Sequence, residues 1–212
     1  MCFTAGGSFV AGGGLTLIGT KTLEIANKEE RMIAAVPLMF AIQQTIEGVQ
    51  WLAPHPSIIS IILGYAYLFF AFLLWPSYLP FATYYIEHDL KKRRDLRWFM
   101  GIGFLTSAVL LVILIIRPLE IIPHPYGIEY KVDMPFGWMG LLVYAAAACG
   151  SLLISSRKAL QIFGLACILS GILAGMIFQQ TFYSVWCFFS AALCGFVYLI
   201  VRYGERKKKA AK

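Results

Sequence analysis

Charge is what this chain has least of. Only 14% of its 212 residues are Asp, Glu, Lys or Arg, against roughly a quarter in ordinary soluble domains. Histidine is scarcer still, at three residues. The sequence has no glycine-rich phosphate loop, no G-x-S-x-G and no H-E-x-x-H, so the usual NTPase, serine hydrolase and zinc-protease signatures are missing. It also lacks C-x-x-C and H-x-x-x-H spacing, which leaves no ready-made metal motif. These absences give an enzyme no support, though they do not exclude one.

What fills the space is hydrocarbon. Hydrophobic residues make up 59% of the chain and its mean hydropathy is +0.73, values that belong in a bilayer. The apolar runs are continuous rather than alternating, which argues against a β-barrel. Seven of them approach the length of a transmembrane helix: Ala5 to Leu23, Met32 to Leu52, Ser57 to Tyr84, Phe99 to Ile116, Phe136 to Ile154, Ala159 to Phe178 and Phe182 to Val201. The expected fold is therefore all-α, one integral membrane bundle of seven helices over residues 1–212. The first run is diluted by six glycines but lacks the basic start of a signal peptide, so it reads as a retained helix. Cys2 follows Met1 where N-myristoylation would need glycine.

Basic residues predict the orientation. With the N-terminus outside, 16 of the 18 Lys and Arg residues fall on the inner side, leaving only Arg117 and Lys131 opposite. The C-terminus and its basic tail (202–212) are then cytoplasmic, in a multi-pass protein of the cell (inner) membrane. The net charge of +7 is accounted for by this topology and by anionic lipid at the cytoplasmic face, without nucleic acid. No span has a lysine in its interior to anchor retinal, and none has a histidine to share a bis-His haem.

Two irregular stretches stand out. The outer loop 117–135, "RPLEIIPHPYGIEYKVDMP", contains four prolines, and its Ile121, Ile122, Tyr126 and Tyr130 favour an ordered flap. In the third run, "LLWPSYLP" places two prolines four residues apart, which predicts a kink, with Trp75, Tyr78, Tyr84, Tyr85 and Trp98 expected in an inner aromatic belt. Small residues mark close helix contacts, at Ser8, Gly12, Thr16 and Gly19 in the first helix and at Gly164, Cys167, Gly171 and Gly175 in the sixth.

The second run carries "AIQQTIEGVQW", three amides and a carboxylate inside an apolar helix. At about 100° per residue Gln43, Glu47 and Gln50 share a face, flanked by Gln44 and Trp51, and that stripe must face protein. An ionised Glu47 in the outer half could cost up to about 3 kcal/mol unless it is protonated, hydrated or paired. Gln180, Ser184 and Cys187 of the seventh helix and His124 of the outer loop approach the same depth. Interhelical glue explains part of such a stripe, at about 0.6 kcal/mol per pair. A hydrated pocket explains more, with Gln43, Gln44, Glu47, Trp51, His124, Gln180 and Ser184 as ligand-binding candidates.

Cys2 and Cys187 leave three possibilities open: a disulfide, plain packed thiols, or a Cu or Zn site with Glu47 and His124. The leading expectation is an outward-facing polar pocket for a small ligand or metal ion, in a receptor, sensor or transport-accessory role. The alternatives are a membrane-embedded enzyme of lipid or thiol chemistry, and a structural subunit of a membrane complex. No feature names a protein partner.

The stretches "MCFTAGGSF", "QQTIEGVQW", "WPSYLP", "HPYGIEY", "CGSLLISS" and "SVWCFFSA", in this order, resemble an uncharacterised family of small bacterial and archaeal membrane proteins that opens Met-Cys-Phe-Ser-Ala. Here Thr4 stands in place of the usual serine and keeps the hydroxyl. The resemblance spans nearly the whole chain and implies a seven-helix membrane protein whose distinctive positions are Cys2, Gln43, Gln44, Glu47, Trp51, Trp186 and Cys187. It implies no activity, so function has to be argued from the site.

Overall fold

The computed structural model describes residues 4–199 together with 201 and 202. Seven helical segments run through these residues: α1 (Ala5–Ile25), α2 (Arg31–Leu52), α3 (Ile58–Ile86), α4 (Leu90–Ile116), α5 (Gly137–Ile154), α6 (Lys158–Ile177) and α7 (Phe182–Leu199). The six from α2 to α7 are each long and apolar enough to cross a membrane. The glycine-diluted α1, which also carries Lys21 and Glu24, is not among them.

Close backbone approach packs α1 along α2. A Cβ added at Gly12 would stand 2.8 Å from Thr45 Oγ1, and one at Gly48 would stand 2.8 Å from the Phe9 ring. The buried face of α1 is Ser8, Gly12, Leu15, Gly19 and Thr22, so Thr16 lies off the expected small-residue stripe. It bonds back to the Gly12 carbonyl instead, at 2.9 Å. In α6 the expectation holds better, because Gly164 meets Leu152 of α5 and Gly171 meets the Trp186 indole of α7.

Both predicted irregularities take a specific form. α3 does not simply bend at its prolines; it winds into a π-helical turn over Phe69–Leu74, with the Trp75 N–H reaching back five residues to the Phe70 carbonyl. Pro76, next in line, has no N–H for the Ala71 carbonyl, and the Tyr144 hydroxyl of α5 donates to that oxygen at 2.6 Å. The Tyr144 hydroxyl thus restores what Pro76 removes, as an apolar setting requires. The Leu73 carbonyl, which no proline frees, accepts from the Ser77 hydroxyl at 2.6 Å and from Ser107 of α4 at 2.8 Å, tying α3 to α4. α5 has its own π turn at Ala146–Gly150.

The loop 117–135 departs from the all-α expectation. It folds as an antiparallel hairpin, β1 (Glu120–His124) and β2 (Gly127–Lys131), closed by Pro125 and Tyr126. Ile128 and Tyr130 point inward while Lys131 bonds Glu120 across the outer face at 2.9 Å. That contact, first as a hydrogen bond and then as charge attraction, raises the Lys131 pKa. The hairpin lies against α3, where Ile121 closes on Gly64, and against α7, where Gly127 meets Thr181 and Ser184.

At the opposite end, the end with most of the basic residues, polar contacts clasp the connections. Arg157 reaches buried Glu30 at 2.9 Å, and Glu87 accepts from Ser156 N–H at 2.6 Å and from His88 N–H at 3.0 Å. Burial works to raise the Glu87 carboxyl, but the N–H donors of Ser156, Asp89 and His88 outweigh it and hold its pKa below the ordinary value. α4 begins nine residues before its apolar run, capped by Asp89, so "KKRRDLR" is helical and not loop.

Candidate functional site

The polar stripe of α2 faces protein along its whole length. Gln43, Gln44 and Gln50 are fully buried and Glu47 is 2% exposed. Gln43 Oε1 accepts from the Trp75 indole N–H of α3 at 2.9 Å, while that indole stacks on Phe40 at 3.9 Å between centroids. Trp75 is therefore a buried partner of the stripe and not part of an interfacial belt. Its position beside the π turn, which rotates it inward, is a consequence of α3's winding that composition does not reveal. Gln44 Nε2 donates to Glu47 Oε2 over a long 3.4 Å. Gln50 leaves the group and pairs with His55 in the α2/α3 connection at 2.9 Å.

α3, α7 and the hairpin complete the surroundings of Glu47. Ser184 stands opposite the carboxylate and accepts from the Ile128 N–H of β2 at 3.3 Å. Cys187, one turn further along α7, faces Gln43, Tyr67 and Glu47. Tyr67 donates to the Tyr183 carbonyl at 3.3 Å, and its ring lies parallel to that of Tyr130 at 4.5 Å. Burial first, and then the nearby Glu47 carboxylate, hold the Tyr130 pKa well above the ordinary phenol value.

Several polar atoms in this group have no partner. Gln43 Nε2, Gln44 Oε1, Glu47 Oε1 and the Tyr130 hydroxyl are buried and make no well-formed hydrogen bond, Ser184 standing beside Glu47 and Cys187 beside Gln43, and Gln50 Oε1 shares that condition beside the loop. Buried polar groups are paired in the great majority of cases, so these four atoms, one of them an oxygen of the Glu47 carboxyl itself, call for an explanation.

The remaining candidates separate. Trp51 is half-buried against the apolar cluster that holds Tyr67 and Tyr130. His124 turns away to Glu129 across the hairpin, Nε2 to Oε2 at 2.7 Å, because the strand register places both on its outer side. Gln180 is exposed in the turn before α7. Of the four proposed metal ligands, Glu47 and Cys187 come together, His124 does not join them, and Cys2 lies outside the described residues. No group of three His, Cys, Asp or Glu side chains suited to a metal ion occurs among the described residues. Nor is the group an open polar pocket: the hairpin covers it, and the cleft that reaches it, between α4 and α5, is apolar.

Tyr67, Trp75 and Tyr183 are the site residues that sequence reasoning missed. Each lies within or beside an aromatic-rich run, where a ring reads as core or as belt. Their polar tips give the only signal, and Tyr or Trp buried at the level of a polar stripe tends to find it as a partner.

The chain belongs to the family described as "Family of unknown function (DUF6629)", whose model matches residues 1–212. Neither a curated protein nor a solved structure is detectably similar to it.

Proposed function

We propose, for a chain whose family carries no assigned activity, that it is a multi-pass membrane protein which binds a small ligand through the polar groups at Glu47, on the hairpin side of the bundle, in a receptor, sensor or transport-accessory role. The N-terminus and hairpin face outward in this reading, as the basic residues at the other end favour. The observation that carries it is the cluster of four unpaired, buried polar atoms on Gln43, Gln44, Glu47 and Tyr130. Pure interhelical glue should be paired, because that is how it stabilises. The Trp75 to Gln43 bond fits that description, and the four orphans do not. Leaving a buried donor or acceptor unsatisfied costs about 1–3 kcal/mol each, so a bound group that both donates and accepts would recover much of that loss.

Glu47 would supply charge or hold a proton, Gln43 and Gln44 would orient the ligand, and the hairpin would act as the lid through Tyr130 and through the bond from Ile128 N–H to Ser184 of α7. The test is Glu47→Gln in protein purified into nanodiscs, read by native mass spectrometry and thermal unfolding together. A co-purifying small molecule, lost in the variant at unchanged yield, is the expected result. A variant that becomes more stable while its bound mass is unaltered returns the stripe to a purely structural role, since removing an underused buried charge should help.

A further inference from the structure

The first half of α5 hardly joins the bundle. None of Gly137–Ala145 is buried, whereas Ala147, Ala148 and Cys149 of the following π turn are. The hairpin-side half of α5 therefore stands off from α4, and a cleft of about 340 Å³ opens between them. It is lined by Val109 and Ile113 of α4, by Gly140 and Tyr144 of α5, and by Tyr183 and Cys187 of α7. This volume lies within the range of small-molecule sites, roughly 300–1,000 Å³.

The cleft is apolar, so it suits hydrocarbon rather than a solute from water. Between two membrane-length helices, the hydrocarbon at hand is lipid. What distinguishes it from an ordinary lipid-facing groove is Cys187, which lines the cleft and also faces Tyr67, Glu47 and Gln43, two of them bearers of the orphaned polar atoms.

We infer that the ligand of the Glu47 site is a neutral, hydroxyl-bearing single-chain amphiphile that enters sideways from the surrounding leaflet, with its chain in the α4/α5 cleft and its head past Cys187 against Gln43 and Glu47. This rests on the Glu47 binding reading and adds the chemical class and the route. The orphans present a donor, Gln43 Nε2, and acceptors, Gln44 Oε1 and Glu47 Oε1. A hydroxyl is the smallest head that both accepts and donates. A carboxylate or phosphate head would bring an unpaired charge into this buried site, which is disfavoured whether or not Glu47 carries a proton.

The experiment uses the full chain in nanodiscs and two diazirine probes of equal chain length, a long-chain alcohol and the matching alkane. Crosslinks are mapped by mass spectrometry. The alcohol should label the cleft walls in preference to the alkane, and Val109→Trp, which fills the cleft, should abolish that labelling. Glu47→Gln should fold, keep the alkane background, and lower alcohol labelling about tenfold, as expected for one lost hydrogen bond. Equal labelling by both probes, indifferent to Glu47→Gln, would reduce the cleft to annular lipid and overturn the inference. A water-soluble ligand bound in a Glu47-dependent way with the cleft plugged by Val109→Trp would overturn the lipid route yet leave the Glu47 site standing.

Discussion

Gly103→Ala should be among the most damaging single-methyl changes in this protein. Pro80 has no N–H, so the Pro76 carbonyl four residues earlier lacks its helical donor, and that oxygen projects from α3 toward α4. Gly103 is where α4 meets it, so closely that an added Cβ would overlap the oxygen, with the Pro80 ring 3.3 Å away. Neither obstacle is a flexible side-chain end, so the two helices must part. Overpacking of this kind costs about 1–3 kcal/mol. Separation also strains the Ser107 to Leu73 hydrogen bond, 2.8 Å and one turn along the same contact, worth about 1 kcal/mol. Against this stands the gain of up to about 1 kcal/mol that alanine brings to a helix interior over glycine. The net expectation is a loss of about 1–3 kcal/mol. Gly101→Ala is the control, since it lies two residues away in the same helix with open space around its Cβ position, and it should be neutral or slightly stabilising. Unfolding in mixed micelles, followed by tryptophan fluorescence, measures both. Equal stabilities for the two variants would refute the account of the freed carbonyl.

Other consequences are equally direct. Trp75→Phe leaves Gln43 without its one strong partner and should cost about 1–3 kcal/mol in the same unfolding assay, much of it recovered when Gln43→Leu is added. The Glu87 carboxyl sits below its ordinary pKa in the folded chain, so the fold binds fewer protons there than the unfolded chain does. Its contribution is present at neutral pH and is lost as pH falls through the folded value; Glu87→Gln should flatten that acid branch of the unfolding midpoint against pH, and an unchanged branch would assign it elsewhere. Cys187, made the sole cysteine, should resist a charged methanethiosulfonate in water but react with a membrane-soluble maleimide, because the cleft that reaches it is apolar. Comparable rates with the two reagents would show an aqueous path.

Six of the seven expected long apolar helices were legible because local composition shows unbroken apolar runs directly, whereas the glycine-diluted α1 is not apolar enough to cross a membrane and α4 begins nine residues before its run. The orientation of the α2 stripe was legible for a related reason: amides and a carboxylate at helical spacing in hydrocarbon have only protein to face. The hairpin was less so. An ordered flap could be anticipated from Tyr130 and the isoleucines, but strand pairing in a segment with four prolines depends on a register that Ile128 and Tyr130 acquire only by packing against α3 and α7. His124 and Gln180 show how proximity in depth can mislead. His124 is drawn to Glu129 by that strand register, and Gln180 falls in a turn whose direction its neighbours set.

Taken alone, the order of residues determined the helical class, six of the long apolar helices, and which face of α2 had to be shielded, because each follows from the free energy of placing a side chain in hydrocarbon. Only the tertiary structure decided which partners shield that face. Trp75 turns inward through a π turn, Ser184 and Tyr130 arrive from distant segments, and α5 stands away from α4 to leave a cleft ending at Cys187. Those outcomes depend on where two backbones touch at a glycine and which side chain reaches a proline-freed carbonyl, and such contacts exist only once the helices have packed.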